Sequence, residues 1–221
     1  MNLPDCPVCR TCRGPVQHGF ARCYQCDLAN SEAGPLLADF VMPLGYAIKG
    51  GQLAADLRRY KSGRDDAAAA ALRLRSMLAA SLSDHGSGAW RAAGMPAAPS
   101  AVAVVPSGQG RPGAHPLAGI VASCVDLPVT RLAVRLPAQP CRRGISLGWL
   151  RVGGLAAGAD VLLVDDTWVS GGSAQSAAVA LKLAGARRVA LVVLGRHVDP
   201  ADPRSADLLR ALRPAPSGAA S

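Results

Sequence analysis

The chain has 221 residues, half of them apolar, and carries a formal net charge of +9 from 24 lysines and arginines against 15 acids. This suits one medium-sized domain with a small appendage, and the basic excess fits anionic partners, phosphorylated metabolites or nucleic acid. No apolar run nears the eighteen residues of a membrane span, and Asp5 and cysteines stand where a signal sequence would be basic and then apolar; membrane insertion and secretion are therefore not expected, and the expected compartment is the cytoplasm.

Five of the seven cysteines fall in the first 26 residues: Cys6, Cys9, Cys12, Cys23 and Cys26. Cys9/Cys12 and Cys23/Cys26 are Cys-x-x-Cys pairs, and two knuckles of two thiolates each would complete a tetrahedral Zn²⁺ site. Arg13-Gly14-Pro15 supplies the turn after the first pair. Cys6/Cys9 is an alternative first knuckle that would leave Cys12 spare. Four thiolates close the coordination sphere, so the expected role is structural. The expected module is a zinc ribbon over residues 1–36, with a linker from about Leu28 to Leu36.

Beyond it, Val41 to Tyr46 precedes Gly50-Gly51, and from Gln52 a helical pattern places Leu53, Leu57 and Tyr60 on one face until Lys61-Ser62-Gly63 breaks it. Asp65 opens an alanine-rich helix expected to end near Leu82, and His85 to Pro99 reads as a loop. Ala101 to Val105 is an apolar run suited to a buried strand. It meets a loop with Ser107, Gly108 and Arg111, in which His115 is either an anion or base contact or incidental. Arg131 to Leu136 is a further strand candidate. From Arg131 to Arg151 there are five arginines, including Arg142 and Arg143, and no acid. Such a segment reads as a solvated basic surface or a nucleic-acid patch. Trp149 within it either packs beneath or stacks a base.

The richest stretch is Val161 to Ala186. Four apolar residues, Val161 to Val164, read as a strand buried on both faces. Asp165 and Asp166 follow, then Ser170-Gly171-Gly172-Ser173 and a helix through Val179, Leu181 and Leu183. Gly185 stands where a left-handed C-cap residue belongs. Strand, acids, small-residue loop and helix N-terminus describe a phosphate cradle. The carboxylates would repel a phosphate, so they must address another part of the ligand, and vicinal sugar hydroxyls suit them. Val189 to Leu194 forms another buried strand ending at Arg196-His197, Asp207 to Leu212 a last short helix, and residues 214–221 an expected disordered tail. Alternating strands and helices predict an α/β domain over residues 37–213 with a largely parallel sheet.

The run Val161 to Ser173 resembles the PRPP-binding motif of type I phosphoribosyltransferases: four hydrophobics, two acids, then a short hydroxyl and glycine loop. Thr167 and Trp168 depart from its usual aliphatic residues, and Ser170 and Ser173 replace commoner threonines. The segment Tyr46 through Leu57 to Tyr60-Lys61-Ser62-Gly63 resembles the one that follows the zinc knuckle in the ComF family, which joins an N-terminal four-cysteine ribbon to a type I phosphoribosyltransferase domain. The order matches over nearly the whole chain, although Arg111 to Leu117 departs from the family's Arg-Gly-Phe-Asn-Gln block. The resemblance implies a type I phosphoribosyltransferase fold and a PRPP- and Mg²⁺-binding enzyme that displaces pyrophosphate with a nitrogenous acceptor. It implies that Asp165 and Asp166 hold the ribose hydroxyls and Ser170, Gly171, Gly172 and Ser173 wrap the 5-phosphate. Ser107, Gly108 and Arg111 would serve the pyrophosphate, and the resemblance makes Arg131 to Arg151, with Arg142 and Arg143, a mobile basic flap that closes over PRPP and its pyrophosphate. Lys61 belongs to the matching segment, or is an ordinary solvated helix-end lysine. ComF relatives are also associated with DNA uptake, so a competence protein that binds single-stranded DNA, with a regulatory or degenerate PRPP site, is the alternative expectation.

Overall fold

The computed structural model of the chain describes residues 8–107, 115–135 and 144–212. Its centre is a parallel sheet of strands β1 (Phe40–Pro43), β2 (Tyr46–Ile48), β3 (Ala101–Val104), β6 (Asp160–Trp168) and β7 (Arg188–Val198). Across the sheet the order is β1, β7, β6, β3, with β2 continuing β1 along the same edge of β7. Strands β4 (Arg131–Val134) and β5 (Leu150–Gly153) form a separate antiparallel ribbon, tied to β3 by a bridge between Val102 and Val129.

The central strands alternate, as a pleated sheet buried on both faces requires. Val161, Leu163, Val189, Leu191 and Val193 face one core with helix α5 (Gly172–Leu183). Leu162, Val164, Val192 and Leu194 face the other. That second core is covered by α2 (Gln52–Arg59), α3 (Ala67–Ala92) and α4 (Pro116–Ala122). Helix α5 ends as its sequence requires: Gly185 takes φ 103°, Ala186 N–H bonds Leu181 O at 3.0 Å and Gly185 N–H bonds Lys182 O at 3.0 Å. These are the two hydrogen bonds of a Schellman cap. A last helix, α6 (Ala206–Ala211), packs Leu208 against Val198.

Three expectations need correction, and one pair of strands was not expected. The expected linker is mostly helix α1 (Tyr24–Ala33) followed by a 3-10 turn over Gly34–Leu36. The alanine-rich helix passes Leu82 and continues to Ala92, where a loop was expected. It does so because Ala89 is buried and Gly86 leaves room for Trp90, whose ring a Cβ there would approach to 3.3 Å. Strand β6 spans nine residues rather than the four apolar ones, so the acids lie inside it. The segment after the cysteines contributes the edge strands β1 and β2, for which the sequence carried no strand expectation. The expected tail, residues 214–221, lies outside the described residues. No described helix is long and apolar enough to cross a membrane.

Candidate functional site

The four thiols of Cys9, Cys12, Cys23 and Cys26 converge, their sulfurs all within 4.8 Å of one another. Tetrahedral Zn²⁺ with bonds of about 2.3 Å would set its sulfurs about 3.8 Å apart. Cys12 Sγ and Cys23 Sγ are 3.8 Å apart, far beyond disulfide length, and all four cysteines are free. The set therefore fits a tetrahedral ion such as Zn²⁺. The first pair sits in a knuckle: Arg13 N–H bonds Cys9 O, Cys9 N–H bonds Gly14 O, and Arg13 takes φ 57° to make the turn. The second pair departs from the expected knuckle, since Cys23 is the N-cap of α1 and Cys26 lies in its first turn. Hydrogen bonds among the sulfurs split their titration, drawing Cys9 and Cys23 down and pushing Cys12 and Cys26 up. Cys6 lies outside the described residues.

The cysteine module is not a separate globule. Cys9, Cys12, Val16 and Cys26 belong to the same core as Trp149, Trp168 and α5. Arg196, near the end of β7, lies beneath the knuckle, and a Cβ on Gly14 would come within 2.4 Å of its guanidinium. That guanidinium donates to Trp168 O at 3.1 Å and His197 O at 2.6 Å. Tyr46 donates to Arg13 O at 2.8 Å.

The acid pair lies where the sheet narrows. Strand β3 pairs with β6 as far as Val104 opposite Val164, and Val105 N–H bonds Val164 O at 2.9 Å, so Asp165 and Asp166, the next two residues of β6, lie just past the paired end of β3. Open α/β sheets place ligands in this position, beyond the carboxyl ends of strands. Asp165 Oδ1 accepts from Asp166 N–H at 2.8 Å. Burial, reinforced by the Asp166 carboxylate, holds the Asp165 carboxyl well above the usual carboxylate range. Asp166 is buried, and its Oδ2 takes both the Tyr60 hydroxyl and Lys61 Nζ, with His115 Nε2 at 4.0 Å. Desolvation, and then the Asp166 charge, pushes the Tyr60 phenol up, so it remains the proton donor.

A slip in strand phase sets this arrangement. Val164 faces the core beneath α2, α3 and α4, and Asp166 follows it to meet Tyr60 and Lys61 at the end of α2. Strict alternation would turn Thr167 away. Thr167 instead lines a cavity with Ala54 and Leu57 of α2, and Trp168 enters the opposite core. Strand β7 slips at the same level: Leu194 faces the α2 side, and a Cβ on Gly195 would also meet Leu57 there, at 2.4 Å.

The small-residue loop follows directly. Gly171 is the left-handed N-cap of α5 at φ 85°, and a Cβ there would lie 2.2 Å from Trp168 Cζ2. Gly172 N–H reaches Ser170 Oγ at 3.4 Å, and Ser173 lies in the first turn of this twelve-residue helix. Ser107 follows β3 and is described, whereas Gly108, Arg111, Arg142 and Arg143 lie outside the described residues. Trp149 is buried at 1% exposure, which decides for packing over base stacking. Lys61 is engaged with Asp166 and is not a merely solvated helix end. Sequence reasoning missed Tyr60 as a partner of the acids, having placed it among apolar helix positions. It also missed Arg196 as the seat of the cysteine knuckle. Comparison with protein-family models, with curated proteins and with solved structures found no match.

Proposed function

We propose that the chain is a PRPP-binding phosphoribosyltransferase-like enzyme of the ComF type. Its α/β domain would have the type I phosphoribosyltransferase fold, and its four cysteines would hold a structural zinc ion. The observation that carries this is the placement of Asp165 and Asp166 just past the end of the β3–β6 pairing, with three residues between Asp166 and the Ser170–Ser173 loop that opens α5. Carboxylates at a strand end suit the vicinal hydroxyls of ribose. A small-residue loop at a helix N-terminus suits the 5-phosphate, because its N–H groups point outward and the helix dipole favours negative charge.

The reaction is displacement at ribose C1: the C1–oxygen bond to pyrophosphate breaks, a C1–nitrogen bond forms, and the acceptor nitrogen loses its proton. Asp165 and Asp166 orient the sugar, and Lys61 and Tyr60 hold the Asp166 carboxylate in place. Among the described residues only the four cysteines form a cluster of three or more metal-ligating side chains. Mg²⁺ would therefore be held mainly by the substrate's own oxygens, with Asp165 as the available protein carboxylate, as is usual for this ion. When bound, it supplies charge neutralisation to the leaving pyrophosphate.

The test is substitution of the acid. A hydrogen bond to a charged group contributes about 1.5–3 kcal/mol, so Asp166→Asn should weaken PRPP about ten- to a hundredfold. Zinc content and circular dichroism of the variant should match the parent. Equal PRPP affinity in equilibrium dialysis would remove the assignment.

A further inference from the structure

A cavity of about 490 Å³ opens beside the acid pair and shares Lys61 with the site just proposed. Its floor is apolar, from Ala47, Ala54 and Leu57. Its walls carry Lys49, Arg58, Lys61 and His197, with the hydroxyl residues Ser62 and Thr167, and no carboxylate among the described residues lines it. Lys61 belongs to both places, pairing with Asp166 while facing the cavity.

Of the three lysines and arginines that line it, two are paired and one is not. Lys49 pairs with Asp199 at 3.4 Å. Lys61 is balanced by Asp166. The neighbouring Arg59 is paired with Asp66 at 3.1 Å, and Arg73 with Asp56. Arg58 forms no ion pair among the described residues, so one guanidinium faces the cavity without a neutralising acid. Guanidinium forks match planar oxyanions in two-point contact, and a single surplus charge favours a monoanion over a dianion.

We propose that this cavity binds a compact carboxylate, its apolar body on Ala47, Ala54 and Leu57 and its head on Arg58, and that this carboxylate, carrying the nucleophilic nitrogen on its body, is the acceptor co-substrate. The second half of the proposal rests on the PRPP site next door. The first half does not. Such an acceptor would lie one residue from Asp166, on the α2 side of the sheet.

Ligand-observed NMR titrations of the full zinc-loaded chain with benzoate, benzamide and phenyl phosphate separate these points, because the three share one apolar body. Benzoate should bind at least tenfold more tightly than benzamide and more tightly than phenyl phosphate. Arg58→Gln, at an exposed position, should weaken benzoate at least tenfold while leaving PRPP affinity and melting temperature unchanged. Equal binding of benzamide, or benzoate affinity within twofold in Arg58→Gln, would overturn the cavity assignment. Tighter phenyl phosphate would overturn the carboxylate. Saturating PRPP with Mg²⁺ should leave benzoate bound, and competitive displacement would overturn a separate acceptor cavity. Arg58-dependent benzoate binding in a chain that binds no PRPP would support the cavity and sink the phosphoribosyltransferase assignment instead.

Discussion

Asp165 is held in an environment that disfavours its charge, by burial and by Asp166 beside it. A carboxyl raised in the fold relative to the unfolded chain binds its proton more tightly when folded. Its contribution to stability is therefore fully present below the unfolded value of about 4 and is lost as pH rises through the raised value. Asp165→Asn mimics the neutral acid. At neutral pH it should raise the melting temperature, by roughly 2–4 °C for each kcal/mol recovered, while weakening PRPP. Thermal melts between pH 4 and 8 check this: the variant's advantage should grow with pH, and a variant less stable than the parent at neutral pH would contradict it. The acid pair itself was legible as two letters after an apolar run. Its partners were not, because Tyr60 and Lys61 are more than a hundred residues away and look like the end of an ordinary amphipathic helix.

At the scale of elements, the loop before α5 is fixed by one glycine. Gly171 needs φ 85°, and its missing Cβ leaves room for the Trp168 indole. Left-handed backbone costs an L-residue about 1–2 kcal/mol, and the clash with Trp168 adds to that. Gly171→Ala should lower the unfolding free energy by at least that cost, read as a fall in the urea midpoint, and displace the start of α5. A midpoint unchanged within error would mean that the ring and loop are not locked together. The strand, loop, helix and Gly185 cap could be read in sequence because each rests on local periodicity and punctuation. The far half of α3 could not, since Gly86 and Gly88 read as breakers, whereas Trp90 uses the space above Gly86. The slip at Thr167 and Gly195 was equally hidden, because it follows from how two strands pack against Leu57.

For the whole molecule, the cysteine module and the α/β domain share one core. Cys9, Cys12 and Cys26 pack in the cluster that holds Trp149 and Trp168, and Arg196 joins the knuckle to the ends of β6 and β7. Stripping the metal with a chelator should therefore unfold more than the first 36 residues. Tryptophan fluorescence should shift to the red and the melting temperature fall by more than about 10 °C, given the roughly 10–16 kcal/mol of folding free energy that structural zinc sites supply. Unchanged tryptophan emission after complete metal removal would show the module to be energetically separate. Cysteine spacing revealed the module, but its docking was invisible because Gly14 and Arg196 carry no paired signal in sequence.

The central claim concerns the acids and the loop, and calorimetric titration of the zinc-loaded chain with PRPP, with and without Mg²⁺, addresses it most directly. Binding that requires Mg²⁺ and is weakened at least tenfold in Asp166→Asn is the predicted result. No heat of binding in either condition, from protein that retains its zinc and its fold, would contradict it.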